Sequence, residues 1–160
     1  MHSPETLALF RRVVEQEISC SERLGEALAN EQKALTSRVP DDLLEAVAQK
    51  QALMQALEQS VSAHQGFLAA RRLPPGRPGT EAFLRGLTPD AAERALWQRL
   101  QEVAAHCREH NQANGSLVAL GRVRTQRALE ILQGGHDPAK TYGRGGGTNR
   151  GSAQRFLGAV

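Results

Sequence analysis

The sequence predicts an all-α fold: an elongated antiparallel bundle of three long helices plus one short helix, with a Gly-rich C-terminal tail. Three observations lead there. Apolar residues recur at intervals of three and four over long stretches, which is the helical period. Leu and Ala dominate while β-branched runs are scarce, which argues against a sheet. Proline, capping residues and glycine punctuate the chain at a few well-separated points. The 160 residues suit a helical bundle domain over 1–134, followed by a flexible basic tail over 135–160.

The first helix opens at Ser3-Pro4-Glu5-Thr6, where Ser3 suits an N-cap and Pro4 the first helical position. Leu7, Phe10, Val14, Leu24, Leu28 and Leu35 then form a stripe that Val13 and Ile18 widen. Glu17, Ser21 and Glu31 interrupt it, and the helix is expected to run to Ser37. Val39-Pro40-Asp41 is the next break, because proline disfavours helix at the residue before it. Asp41 is the expected N-cap of a second helix reaching about Arg71. Its stripe is Leu43, Leu44, Val47, Met54, Leu57, Val61 and Leu68, with Lys50 and His64 at seam positions. The short connection makes these two helices antiparallel neighbours.

Leu73 to Gly79, with its prolines and glycines, is expected to be a loop. Thr80 is the expected cap of a short helix over Glu81 to Leu87. Thr88-Pro89-Asp90 repeats the cap-and-proline signal before the third long helix. That helix carries Leu96, Trp97, Leu100, Val103, Cys107, Leu117, Leu120, Leu129, Ile131 and Leu132, and glycine stops it at Gly134-Gly135. Asn111, Asn114, Gly115 and Gly121 lie in its middle, at a place where a kink or a close neighbouring helix is equally consistent with the sequence. Its apolar residues cover a broad arc, more than one bundle face needs.

The charge is unevenly placed. The chain has 20 basic and 17 acidic residues; the tail holds four of the former and one of the latter, so 16 face 16 before position 135. The basic excess therefore sits in the tail. Arg122, Arg124 and Arg127 come with no helix-turn-helix spacing and no stacking platform, so no nucleic acid partner is expected. No apolar run approaches the roughly 18–20 residues that span a bilayer, and no membrane insertion is expected. The N-terminus lacks a signal-peptide block, and two cysteines make a poor disulfide framework. A cytoplasmic location follows as the expectation.

Two stretches imitate chemistry. His106-Cys107-Arg108-Glu109-His110 reads H-x-x-E-H, the inverted zinc-peptidase pattern, with both histidines on one helix edge. A third ligand is missing, since Glu130 and Asp137 are the only carboxylate side chains downstream. Gly143 to Thr148 imitates a phosphate loop but lacks the preceding strand and the Gly-Lys-Ser/Thr ending. No catalytic constellation, metal site or cofactor is expected, and the chain does not read as an enzyme.

What stands out is apolar helix surface suited to capturing another protein's amphipathic helix. A helix with repeated Leu and Glu comes first, then one in which Lys50 precedes Leu53-Met54, then one opened by Trp97. Two stretches are more specific: Asn111 to Val118, containing Asn-x-x-Asn-Gly, and Thr141-Tyr142-Gly143. In this order and spacing the chain resembles the FlgN family of flagellar export chaperones. The resemblance implies a cytoplasmic type III secretion chaperone that binds hook-filament junction proteins, prevents their premature association and delivers them to the export gate. It implies cargo contacts at Leu117, Val118, Leu120, Leu129, Ile131 and Leu132, and docking to the export-gate protein through Tyr142. Asn111, Asn114 and Gly115 stand as the family motif. The tail departs from the pattern in being richer in glycine and more basic. The alternative reading is a structural bundle acting as an adaptor or homo-oligomerisation module.

Overall fold

The computed structural model describes residues 2–37 and 39–132. They form four helices, α1 (Pro4–Ser37), α2 (Pro40–Ala69), α3 (Arg77–Arg85) and α4 (Ala92–Leu132), and no strand is present among them. The all-α architecture of three long helices and one short one is therefore as the periodicity predicts. The expected stop at Gly134-Gly135 and the tail over 135–160 lie outside the described residues. The chain divides into two compact units, Met1–Arg124 and Thr125–Val160.

In the first unit, α1 begins as its sequence suggests. The Thr6 amide donates to Ser3 Oγ at 3.2 Å, and Pro4 needs no partner for the amide hydrogen it lacks. The start of α2 differs from expectation. Helix begins at Pro40, with Val39 as N-cap in an extended conformation (φ −95°, ψ 113°) and no side-chain cap bond. Proline sets both features: it holds its own φ near the helical value and pushes Val39 into the β region. Asp41 and Asp42 fall inside the first turn, where their charge complements the helix dipole.

α2 ends at Ala69, two residues before the expected Arg71. The Arg72 amide returns to the Ala69 carbonyl and the Leu73 amide to that of Leu68. This closing turn places Arg72 at φ 59°, a left-handed conformation that costs a non-glycine residue about 1–2 kcal/mol. The same turn brings Leu73, half-buried, against the main core.

α3 corrects the expectation most. It starts at Arg77, inside the predicted loop, and ends at Arg85 rather than Leu87. Gly76, at φ 71°, precedes it, and Pro78 occupies its first turn. Thr80 is not the cap. It is fully buried within the helix, and its hydroxyl lies 3.2 Å from both the Gly76 carbonyl and His64 Nε2. Gly79 permits the tight entry, because a Cβ there would lie 1.8 Å from the Pro74 carbonyl oxygen. α4 then starts at Ala92, later than Thr88-Pro89-Asp90 suggests, after a turn closed by the Ala91 amide on the Thr88 carbonyl. Arg94 reaches back from it to the carbonyls of Leu84, Leu87 and Thr88, satisfying the C-terminal end of α3.

Pairing fixes the directions. Glu31 meets Lys50 and Glu17 meets His64, so α1 and α2 are antiparallel. Glu93 meets Arg11, Cys107 meets Ser21 and Asn114 meets Leu28, so α4 runs parallel to α1. The main core gathers Phe10, Val14, Ile18, Phe67, Leu68, Phe83, Leu84 and Leu100 where α3 closes one end of the bundle. Leu7, Leu96 and Trp97 pack around it. Phe10 and Phe83 stack at 4.7 Å, and Phe67 meets Phe83 edge-on at 5.2 Å. A smaller core of Leu24, Ala27, Leu28 and Leu53 lies further along α1 and α2. α4 is continuous through Asn114-Gly115.

Candidate functional site

Two buried polar junctions separate and follow these cores. In the first, His64 Nδ1 lies 2.7 Å from Glu17 Oε2, and its Nε2 lies 3.2 Å from the Thr80 hydroxyl. It ties α1, α2 and α3 with His64 only 5% exposed. In the second, Lys50 Nζ donates to Glu31 Oε1 at 2.5 Å. Asn114 Nδ2 donates to Glu31 Oε2 and to the Leu28 carbonyl, each at 2.9 Å. This second junction joins α1, α2 and α4 through one carboxylate, and it gives the interior Asn114 a structural task. Its partners were not read from the sequence. The signal lay in the register: Glu17 to Glu31 is 14 residues along α1, and His64 to Lys50 is 14 back along α2. In an antiparallel pair, equal steps bring both charged couples together at once.

Between the junctions α4 leaves α2. An apolar groove of about 460 Å³ opens there. Its floor is Ser21, Leu24 and Leu28 of α1; Met54, Leu57 and Val61 of α2 form one wall; Ala104, Cys107, Arg108 and Asn111 of α4 form the other. The groove stays open because Ala104 and Cys107 are too short to reach across. Cys107 is also tied down, its thiol donating to the Ser21 carbonyl at 3.1 Å. Burial pushes the Cys107 thiol above its ordinary pKa, with the Arg108 charge opposing part of the shift, so the group is protonated at neutral pH. Cys20 and Cys107 are both free thiols.

On the other side of the α1–α4 contact, His106 and His110 line a second cavity of about 450 Å³ with Glu22, Glu26 and Glu102. Their rings lie 4.5 Å apart. Among the described residues no three potential ligands converge on one metal position.

The residues singled out from the sequence separate into distinct environments. Asn114 is buried, while Asn111 and Gly115 are exposed. In the first unit Leu117 is half-buried, and Val118, Leu120 and Val123 are exposed. At about 100° per residue, Leu117 and Val118 flank the line of Asn114, whereas Leu120 points about 120° away. Of the second unit, residues 125–132 are described, and all of them are exposed. Leu129 is 45% exposed, Ile131 78% and Leu132 81%. Each unit thus leaves large apolar side chains accessible. Tyr142 lies outside the described residues.

A family model described as FlgN protein matches residues 6–150. The chain belongs to the FlgN family. The match runs through all four helices and through the Asn111–Val118 and Thr141-Tyr142-Gly143 stretches. No curated protein and no solved structure matches the chain. FlgN proteins are flagellar export chaperones, a binding family rather than an enzymatic one, and the exposed apolar surface suits that role. Among the described residues no helix is long and apolar enough to cross a membrane.

Proposed function

We propose that this FlgN-family protein is a cytoplasmic type III secretion chaperone for hook-filament junction proteins. It binds their helical terminal segments, prevents premature association and hands them to the export-gate protein. The observation that carries this reading is the run of exposed apolar side chains on α4, above all Leu129, Ile131 and Leu132, in a chain of an export-chaperone family. Water-exposed leucine and isoleucine are stabilised by a partner that covers them, and about 25 cal/mol per Å² of apolar surface is gained on burial. Leu117, Val118 and Leu120, in the first unit, are further candidate cargo contacts. A separate tail over 135–160 carries Tyr142, an aromatic anchor suited to docking on the export gate.

Replacing Leu129 and Leu132 with Asp is expected to weaken cargo binding about 100-fold in calorimetry while circular dichroism is unchanged, since both positions are solvent-exposed. Unaltered affinity would remove these residues from the cargo site. Tyr142→Ala is expected to leave cargo capture intact and to reduce secretion of the junction proteins. Normal secretion in that variant would argue against the docking role. Sedimentation of the free chain tests the structural-bundle alternative: a tight oligomer that takes up no junction protein would favour it.

A further inference from the structure

We infer that the groove between α2 and α4 seats one amphipathic helix of the cargo, with a basic residue on the edge facing Glu58 and an acidic one on the edge facing Arg108. This rests on the chaperone reading and adds to it a second contact region, distinct from the exposed end of α4. The α2 wall from Lys50 to Val61 is about 17 Å long, which is three helical turns. An incoming helix with apolar residues at i, i+4, i+7 and i+11 matches that length. It would meet Leu24, Leu28, Met54 and Leu57, and it would complete a four-helix bundle where α4 and α2 now stand apart.

Charge selects the occupant. Lys50 at one end of the groove is already neutralised by Glu31. Glu58 and Arg108 line opposite walls, and neither has an ion-pair partner among the described residues. A helix laid between them therefore gains two pairings if it carries opposite charges on its two edges. A second copy of this chain fits poorly. The exposed apolar stretch of α4 from Leu117 to Val123 contains Arg122 and no acidic residue to meet Arg108.

The test uses the full chain and synthetic peptides of the junction proteins' terminal helical segments, with affinity read by fluorescence anisotropy. Met54 is 45% exposed, so Met54→Asp leaves the fold intact. It is expected to weaken binding about tenfold. Arg108→Glu, also at an exposed position, is expected to weaken binding, and exchanging the peptide's acidic edge residue for Lys is expected to restore it. Recovery of that kind reports a direct pairing, which a general structural effect would not give. If both groove variants bind like the parent while the Leu129/Leu132 replacement does not, the groove inference is overturned and the chaperone reading stands. Failure of the parent chain to bind any segment overturns both. A dimer of the free chain that Met54→Asp splits would assign the groove to a second copy and overturn the inference.

Discussion

Phe10→Ala is expected to lower the unfolding free energy by about 3–5 kcal/mol, the largest effect of any single change considered for this protein. Phe10 has no exposed surface and sits where α1, α2 and α3 meet. Its ring contacts Phe83 at 4.7 Å, Phe67 at 5.5 Å and His64 at 6.1 Å. Truncation removes the transfer energy of the ring and leaves a cavity whose walls are held by other elements. Phe83 is fixed by α3 with its tight glycine entry, and His64 by Glu17 and Thr80, so the site cannot collapse onto the void. Urea unfolding followed at 222 nm checks this. With a slope of about 1–3 kcal/mol per molar, the midpoint should fall by roughly 2 M. Phe10→Leu keeps much of the volume and should cost far less. A loss under about 1 kcal/mol for the alanine variant would mean that the core end re-packs freely, contrary to its interlocked rings.

The second large effect is expected at the three-helix junction. Glu31→Ala should cost about 2–3 kcal/mol. Glu31 is 5% exposed and serves both Lys50 and Asn114. Its removal strips Asn114 of one of two acceptors in a place where its Oδ1 already has no partner. Lys50 loses its counter-charge, but its side chain is 20% exposed and can swing towards water, which keeps the loss below that of a fully buried pair. Replacing Glu31, Lys50 and Asn114 together with Met, Met and Leu should recover most of the stability, because no polar group is then left unpaired. The same denaturation experiment, run as a double-mutant cycle on Glu31 and Lys50, measures the coupling. Strict additivity of the two single variants would contradict the pairing.

The junction also borders the groove. Asn114 holds α4 on Leu28 and Glu31 of α1, and Glu31 in turn holds Lys50 of α2, which lines the groove. The salt bridges at the surface do less. Arg99–Glu22 and Arg77–Glu81 are largely solvated, and exposed pairs of this kind contribute about 0–1 kcal/mol each.

The boundaries of α1 were legible because everything that sets them is local. Ser3, Pro4 and a period of three to four residues act within one or two turns. The start of α3 was not legible. Thr80 has the chemistry of a cap, but burial against His64 draws it inside the helix, and Gly76 and Gly79 carry the entry instead. Asp41 has the same cap chemistry and is displaced for a different reason: Pro40 already supplies the helical φ, so the helix starts at Pro40 and Asp41 falls inside its first turn.

Helix content, the approximate helix limits and the FlgN resemblance were written in short-range pattern, since capping, proline stereochemistry and amphipathic spacing depend on residues a few places apart. Tertiary packing alone decided which face of α4 is covered. Asn114 and the apolar residues that follow it look alike as a stripe, yet Asn114 is buried and Val118, Leu120 and Val123 are exposed. Only the positions of α1 and α2 alongside α4 separate them. The groove has the same origin: Ala104 and Cys107 line it from α4, the Cys107 thiol is held on the Ser21 carbonyl of α1, and two short side chains do not fill a gap that leucines would.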